Sequence, residues 1–461
     1  MLRVRPIRAL VRWGGFPFVF QAVLLGCFVA FAVLAWGAIA PPGARANLFA
    51  RTHLVTLVIW GVWWPAMVWV AVWFGRVWCM VCPLELVGNI SERLGRRLGL
   101  PQRSLPGWVA GGSLVVALYA AIHLLVSGGH IDRVPAATAW FLVGLMGLAA
   151  ATGLAFTDRA YCRGFCPVGL LLGIYGRGGM LAVRAANAST CRDCVAKECR
   201  SARYRDRLDA RSCPSLLNPA TLDNSKDCLL CGQCIKVCAN GNMRLLLRRP
   251  FAAADVRAFL ASWPVTLFVM LDSGFVVSEW LEHAPRAEKV FLAAPAWVAA
   301  RLGWVDGVDW LAGAWTLFVV PFLAWCALAG VARLCGSRDT PGGWWRRIAL
   351  PAAVVVSAAH LGAALAEFLS RSRFLPGALR DPAGIETAVA LTARTRILPA
   401  PPLGFGALLV FGLGLVVAAW FVARRELRLA RATANGPRRS ALPVAVVAVM
   451  LFGILAIWPR S

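Results

Sequence analysis

The sequence predicts an all-α polytopic membrane protein with about nine transmembrane helices and a small, cysteine-rich α+β insert. Three observations predict this fold class. Hydrophobic residues make up 59% of the 461 residues, and charged residues make up only 15%. Apolar runs of about 20 residues, the length that crosses a hydrocarbon core, recur from end to end. Eight cysteines are concentrated in one polar stretch, between Cys191 and Cys238.

The apolar runs place the predicted spans in order along the chain. They lie at about 16–40, 52–74, 106–127, 137–156, 256–281, 309–334, 347–370, 403–424 and 440–458. The first run follows several arginines, as the apolar core of a signal peptide does. We expect a retained first helix instead, because the run is longer than such a core and Pro41 would block cleavage after Ala40.

The net charge of +26 comes from arginines in the short segments between the apolar runs. This is the distribution that the positive-inside rule describes, and it argues against nucleic acid as a partner. The segments that follow the second, fourth, sixth and eighth spans carry most of these arginines. We therefore expect a multi-pass protein of the bacterial inner (cytoplasmic) membrane, with the N-terminus and the cysteine-rich insert in the cytoplasm and the C-terminus in the periplasm.

A short internal repeat follows the second and fourth spans. The segment FGRVWCMVCPLELVGNI resembles TDRAYCRGFCPVGLLLGIYG, since each holds an aromatic residue followed by cysteine, then a Cys-Pro pair and an apolar run. The repeat indicates two copies of one helical hairpin. Three domains are therefore expected: a four-helix membrane region (1–186), the cysteine-rich domain (187–250) and a five-helix membrane region (251–461).

The cysteine-rich domain has the spacing of a ferredoxin that binds two [4Fe–4S] clusters. In Cys228-x2-Cys231-x2-Cys234-x3-Cys238, three thiolates hold one cubane and the fourth reaches the other. A looser set, beginning at Cys191, precedes this run. The same crossed rule predicts one cluster on Cys191, Cys194, Cys199 and Cys238, and the other on Cys228, Cys231, Cys234 and Cys213. Structural zinc is the alternative, but zinc ribbons do not use four cysteines at 2-2-3 spacing.

The two Cys-Pro elements supply a further group of thiols, at Cys79, Cys82, Cys162 and Cys166. All four are predicted on the same side of the membrane as the cysteine-rich domain. They are candidates for a third metal centre or for a redox-active thiol site. The alternative is that the Cys-Pro units only shape a turn, with thiols that stay reduced in the cytoplasm.

The four N-terminal helices, the elements WCMVCP and YCRGFCP, and the two-cluster segment together resemble the NapH/NosR-type membrane polyferredoxins over about residues 10–250. The resemblance implies quinol-linked electron delivery, as in periplasmic nitrate reduction and denitrification. Related ferredoxins of cytochrome oxidase assembly share this core. The family pattern is C-x3-C-P at both elements; Cys162 and Cys166 match it, whereas Cys79 and Cys82 are one residue closer together. The resemblance does not extend to the five C-terminal helices.

Ionisable side chains within the predicted spans mark a candidate quinol site. Asp272 lies in the fifth span, His360 and Glu367 lie about two turns apart in the seventh, and His123 lies near the end of the third. A charge at a helix centre costs about 2.5–3.5 kcal/mol on insertion scales, so such groups usually serve a function. A quinol needs a proton acceptor and a hydrogen-bond partner, which a histidine and a carboxylate supply. The alternative for each histidine is an interfacial side chain bonded to the backbone.

These features predict a membrane electron carrier. Electrons would pass between the quinone pool or a membrane partner and the two clusters, and then to a membrane or periplasmic redox partner of respiration. Whether the chain is one component of a quinol-linked oxidoreductase stays open. The alternative is an assembly or regulatory factor, whose Cys-Pro thiols reduce a metal ion or a disulfide while a respiratory metalloenzyme matures. A transporter is disfavoured, because the sequence shows no inverted repeat with broken helices.

Overall fold

The computed structural model describes residues 5–205, 207, 210–250, 260–282, 285–334, 336–395, 397–398 and 405–431. The chain forms two compact units, and each is assembled from separate stretches of sequence. The first unit comprises Met1–Phe31, Trp69–Val115 and Leu142–Arg257. The second unit comprises Ala32–Val68, Val116–Phe141 and Ala258–Ser461. The described residues are mostly helical and include one small two-stranded sheet, which confirms the predicted mainly α-helical fold class.

In the described part of the chain, five helices are long and apolar enough to cross a membrane. They are Leu54–Phe74, Pro135–Ala155, Trp263–Leu281, Val308–Leu334 and Pro341–Ser372. The first and third predicted spans coincide with shorter apolar helices, Phe18–Leu34 and Ser113–Ser127. The eighth lies on the helix Phe405–Arg431, and the ninth, at 440–458, lies outside the described residues. A multi-pass membrane protein is therefore supported, while nine spans and their orientation stay predictions.

The helix Pro341–Ser372 has 32 residues and is enclosed by the rest of the second unit along most of its length. It begins at Thr340, whose hydroxyl accepts a hydrogen bond from the Gly343 amide, and proline occupies its first turn. Two other spans contain a π-helical turn, Leu57–Trp63 and Trp315–Val319. Such turns hold one extra residue and recur at functional sites.

Shorter helices connect these elements. They are Arg5–Arg12, Ala46–Thr52, Val77–Val81, Pro83–Arg97, Gly107–Ala110, Tyr161–Phe165, Gly169–Tyr175, Gly176–Gly178, Pro285–Phe291, Ala293–Leu302, Val305–Gly307, Leu375–Arg380 and Ile385–Thr392.

The cysteine-rich segment follows one strand of a two-stranded antiparallel sheet in the first unit and contains the other strand. Strand β1, Leu181–Ala185, pairs with strand β2, Met243–Leu247, so that Val183 lies opposite Leu245. Between the strands the chain forms four short helices, Ala188–Arg192, Ala202–Tyr204, Pro219–Thr221 and Gln233–Val237. The sheet packs on a core that contains Val11, Phe16, Val183, Leu230, Ile235 and Met243, with three of the cysteines against it. This core fixes both ends of the cysteine-rich segment.

Candidate functional site

The second predicted cluster site is a cavity with four thiols in its wall. Cys213, Cys228, Cys231 and Cys234 line it together, and the remaining lining is mostly apolar, including Val183, Leu217, Leu222 and Leu229. Since thiolates in an apolar, partly enclosed pocket are what an iron–sulfur cubane requires, the residues present fit such a group. This is the strongest match between the sequence pattern and a built site.

Local backbone geometry explains how one short loop presents three thiols to this cavity. Leu230 and Gly232 adopt left-handed φ values of 56° and 69°, which turn the chain twice between Cys228 and Cys234. A Cβ atom at position 232 would lie 2.1 Å from Val11 Cγ1, so only glycine fits the turn against its neighbour. The loop is therefore held in shape by the core beneath it.

The first predicted site also brings its four cysteines together. The thiol of Cys199 is electrostatically coupled to those of Cys238, Cys191 and Cys194, and burial together with these neighbours raises its pKa to about 11. Asn242 connects two members of the set, because its Nδ2 donates to Cys191 Sγ at 3.1 Å and its backbone N donates to Cys238 Sγ at 3.3 Å. Cys238 thus lies with the upstream set.

No three His, Cys, Asp or Glu side chains in the described part of the chain converge closely enough to hold a single metal ion. A cubane has its four ligands arranged around a much larger body than one ion.

The two Cys-Pro elements have the same end geometry despite their different spacing. Cys82 and Cys166 each end a helical turn in an extended conformation, with φ, ψ of −61°, 126° and −73°, 111°. The turn before Cys82 is α-helical, Val77–Val81, whereas the turn before Cys166 is π-helical, Tyr161–Phe165. A π turn contains one extra residue, which accommodates the longer C-x3-C spacing without moving the second cysteine.

These elements place all four Cys-Pro thiols in one half-buried group. The Cys82 thiol is coupled electrostatically to Cys162, Cys166 and Cys79, and burial raises the pKa of Cys82 well above its usual value. Burial likewise raises the pKa of Cys166. The hydroxyl of Tyr161, a residue only 3% exposed, is coupled to three of these thiols and has no hydrogen-bond partner among the described residues. We call this group the Cys-Pro quartet.

A buried charge network adjoins the quartet. Glu85, in the first turn after Pro83, accepts from Arg211 Nη2 at 2.7 Å and lies 3.0 Å from Arg159 Nε. Gln21 Nε2 donates to its other oxygen at 2.6 Å. Burial alone would raise the pKa of Glu85, but the two guanidinium groups outweigh burial and bring this pKa to about 2.

Arg159 connects the quartet to the second cluster site. Its Nη2 lies 3.4 Å from Cys162 Sγ, and its guanidinium group is electrostatically coupled to Cys231. Arg211, the other partner of Glu85, directly precedes Ser212-Cys213 in sequence, and its amide donates to Gln233 Oε1. The quartet and the cavity therefore share one set of buried cations.

In the second unit, the rings of His123 and His360 lie 3.9 and 5.6 Å from the ring of Phe275, and each predicted quinol residue has a contact of its own. Asp272 accepts a hydrogen bond from the Tyr119 hydroxyl at 2.7 Å, and His123 packs on the same tyrosine ring. Glu367 forms an ion pair with Arg371 one turn further along its helix. The carboxylate beside His360 is instead Glu279, whose Oε2 lies 3.3 Å from His360 Nε2.

Several functional side chains have only a weak signal in the sequence. Glu85 is an isolated carboxylate that follows a Cys-Pro pair, and Arg159 precedes the other pair by a few residues. Their positions beside the Cys-Pro elements could have marked them as partners of the thiols. Asn242, Tyr119 and Glu279 have no local pattern that distinguishes them, because their partners come from distant stretches of sequence.

The chain is similar to several ferredoxin-type proteins. "Ferredoxin-type protein NapH" of Haemophilus influenzae is 28% identical over 185 residues, which are 37% of this chain and 61% of the relative. The NapH protein of Escherichia coli is also 28% identical, over 36% of this chain and 59% of the relative. "Methylamine utilization ferredoxin-type protein MauN" of Paracoccus denitrificans is 30% identical, over 26% of this chain and 46% of the relative. No protein-family model matches the chain, and no solved structure matches it.

These relatives confirm the predicted resemblance to the NapH-type membrane polyferredoxins. The chain spans about three fifths of the length of the two NapH proteins and less than half of the MauN protein. Less than two fifths of this chain takes part in any of the three matches.

Proposed function

We propose that the chain is a membrane-bound, ferredoxin-type electron carrier with two [4Fe–4S] clusters. Cys191, Cys194, Cys199 and Cys238 would hold one cluster, and Cys213, Cys228, Cys231 and Cys234 would hold the other. The observation that carries the proposal is the cavity whose wall contains all four thiols of the second set. When bound, such clusters supply one-electron transfer at potentials that hydrogen bonds, charge and exposure adjust.

The chain's own residues would then keep the thiols in place and adjust their surroundings. Asn242 donates to two sulfurs of the first set. Arg159 and Arg184 bring positive charge to Cys231 and Cys228 of the second set. Electrons would enter from the quinone pool or a membrane partner and leave to a membrane or periplasmic redox partner. The arginine distribution supports a cytoplasmic position for both clusters in an inner membrane.

The cluster assignment can be tested by electron paramagnetic resonance of the reduced protein. We expect two [4Fe–4S] signals in the wild type, and loss of one signal in Cys231→Ser and of the other in Cys194→Ser. Cys326→Ser, which alters a half-buried cysteine outside all three sets, is the matched control. Two intact clusters in Cys231→Ser would overturn the assignment.

The electron source can be tested with a quinol analogue. We expect duroquinol to reduce the clusters of the full chain in nanodiscs, with dithionite as the reference for complete reduction. Full reduction by dithionite and none by duroquinol would reject the quinone pool as the donor. The clusters themselves would remain supported in that case.

A second candidate function is the reduction of a metal ion or disulfide during maturation of a respiratory metalloenzyme. The observation that favours it is the Cys-Pro quartet, in which four half-buried thiols lie beside an arginine that is also electrostatically coupled to Cys231 of the second set. Under this proposal, Cys82→Ser and Cys166→Ser would abolish maturation of the partner and leave both cluster signals intact. Normal maturation in both variants would exclude it.

A further inference from the structure

The second unit buries titratable side chains among its apolar helices. Tyr119 and Asp272 are each 1% exposed, His360 is fully buried, and His123 is 8% exposed. None of these groups belongs to a cysteine set. Because ionisable groups are costly within a membrane, their accumulation in one place indicates a function.

The inner end of this group is a hydrogen-bonded pair next to a histidine. The Tyr119 hydroxyl donates to Asp272 Oδ1 at 2.7 Å. The His123 ring packs on both the Tyr119 ring and the Phe275 ring, with centroid distances of 4.3 and 3.9 Å. Asp272, Phe275 and Glu279 follow at helical spacing on one face of the helix Trp263–Leu281.

The outer end lies where this helix ends. The Phe275 ring is 5.6 Å from the ring of His360, whose Nε2 is 3.3 Å from Glu279 Oε2. The Glu279 side chain is 22% exposed, and its carboxylate is coupled to the charges of Glu282 and Glu367. The group therefore extends from a partly exposed, charged end to a fully buried pair.

A second observation points to an exchangeable ligand at the inner end. Nδ1 of His123 is buried and has no hydrogen-bond partner in the described part of the chain. A buried polar atom without a partner is costly, and in folded proteins such an atom usually meets a bound water or ion. The rings of His123 and His360 lie 3.9 and 5.6 Å from the ring of Phe275, so this nitrogen belongs to the same group of side chains.

We propose that these residues form a proton path inside the membrane, which runs from Glu279 through His360 and His123 to the Tyr119–Asp272 pair. The ligand is a proton, and carboxylate, imidazole and phenol groups each accept and release one. Since Asp272 lies in the middle of the helix Trp263–Leu281 and Glu279 lies near its end, the path leads protons to or from the interior of the second unit. It goes beyond the proposed electron transfer and does not depend on it.

The path can be tested without clusters or quinol, by infrared spectroscopy of the full chain in nanodiscs after transfer to D2O. We expect a carboxylic-acid C=O band that Asp272→Asn removes. In the wild type this band should shift rapidly on deuteration. Glu279→Gln and His123→Gln should slow the shift at least tenfold, because each removes one proton carrier.

Matched controls separate a lost path from a damaged fold. His130→Gln alters a half-exposed histidine of the same unit that lies 3.1 Å from Asp309, and it should exchange like the wild type. Asp272→Asn keeps an oxygen that accepts from Tyr119, so the helix packing should survive. The proposal is overturned if Asp272→Asn removes no carboxylic band, or if Glu279→Gln and His123→Gln exchange at the wild-type rate.

Discussion

Replacing Glu85 by glutamine should destabilise the first unit strongly. The carboxylate is 3% exposed and lies within 3.0 Å of nitrogen atoms of Arg159 and Arg211. Glutamine keeps the shape but leaves both cations buried without their counter-charge, which costs about 3–5 kcal/mol for a buried pair. The fall of the Glu85 pKa from 4.5 to about 2 gives a similar value, about 3 kcal/mol.

The assay is thermal unfolding of the full chain in detergent, followed by circular dichroism. At roughly 2–4 °C per kcal/mol, Glu85→Gln should lower the melting temperature by about 10 °C. Asp158→Asn is the control, because it breaks one partly exposed ion pair with Arg205 and should cost less than about 1 kcal/mol. If both variants melt within 2 °C of each other, the buried network around Glu85 does not stabilise the first unit.

Three further predictions concern Glu85, Asn242 and the Cys-Pro quartet. In the protein without clusters, the stabilisation that Glu85 provides should be complete above pH 4.5, the ordinary pKa of a glutamate, and should be lost as the pH falls towards 2. Unfolding titrations of Glu85→Gln should not show this loss of stability in acid. Asn242→Leu should lower the midpoint potential of the cluster proposed on Cys191, because the variant loses an N–H···S hydrogen bond that stabilises the more negative, reduced state. Potentiometric titration measures this potential. Asn224→Leu is the control and should leave the potential unchanged, because the Asn224 side chain donates to Asp223 and not to a thiol. The thiols of Cys82 and Cys166 are half-buried and have a raised pKa, so they should react with N-ethylmaleimide at least tenfold more slowly in the folded protein than in SDS. Peptide mass spectrometry can measure both rates, and equal rates would contradict the shielding of the quartet.

The membrane class could be predicted from sequence because it depends on a local pattern, and the prediction of the cysteine sets rests on another. Apolar runs identify helices such as Pro135–Ala155 nearly to the residue. Short cysteine spacings reflect the reach of one loop, and the turn at Gly232 lies inside that loop. The predicted division at 186 and 250 stays a prediction, and the two units are built from stretches that no local pattern connects.

The partners of the thiols could not be predicted in the same way. Glu85 meets Arg159 and Arg211 from 74 and 126 positions away, so neither pair has a periodicity to detect. The two Cys-Pro elements differ by one residue in the spacing of their cysteines, which by itself predicts different backbone geometries. The π turn at Tyr161–Phe165 removes that difference, and a π turn leaves no composition signal in a short segment.

The two predicted cluster sites differ in the charge of their surroundings, and this difference affects how strongly each site retains an electron. Cys231 and Cys228 of the second set face Arg159 and Arg184. Next to Cys238 of the first set, the Ala239 amide donates to the carboxylate of Glu198. Because each reduction adds one negative charge, nearby cations favour the reduced state and nearby carboxylates oppose it. The second site, beside the Cys-Pro quartet, should therefore retain an electron more strongly than the first, so that electrons held in the unit gather next to the four half-buried thiols.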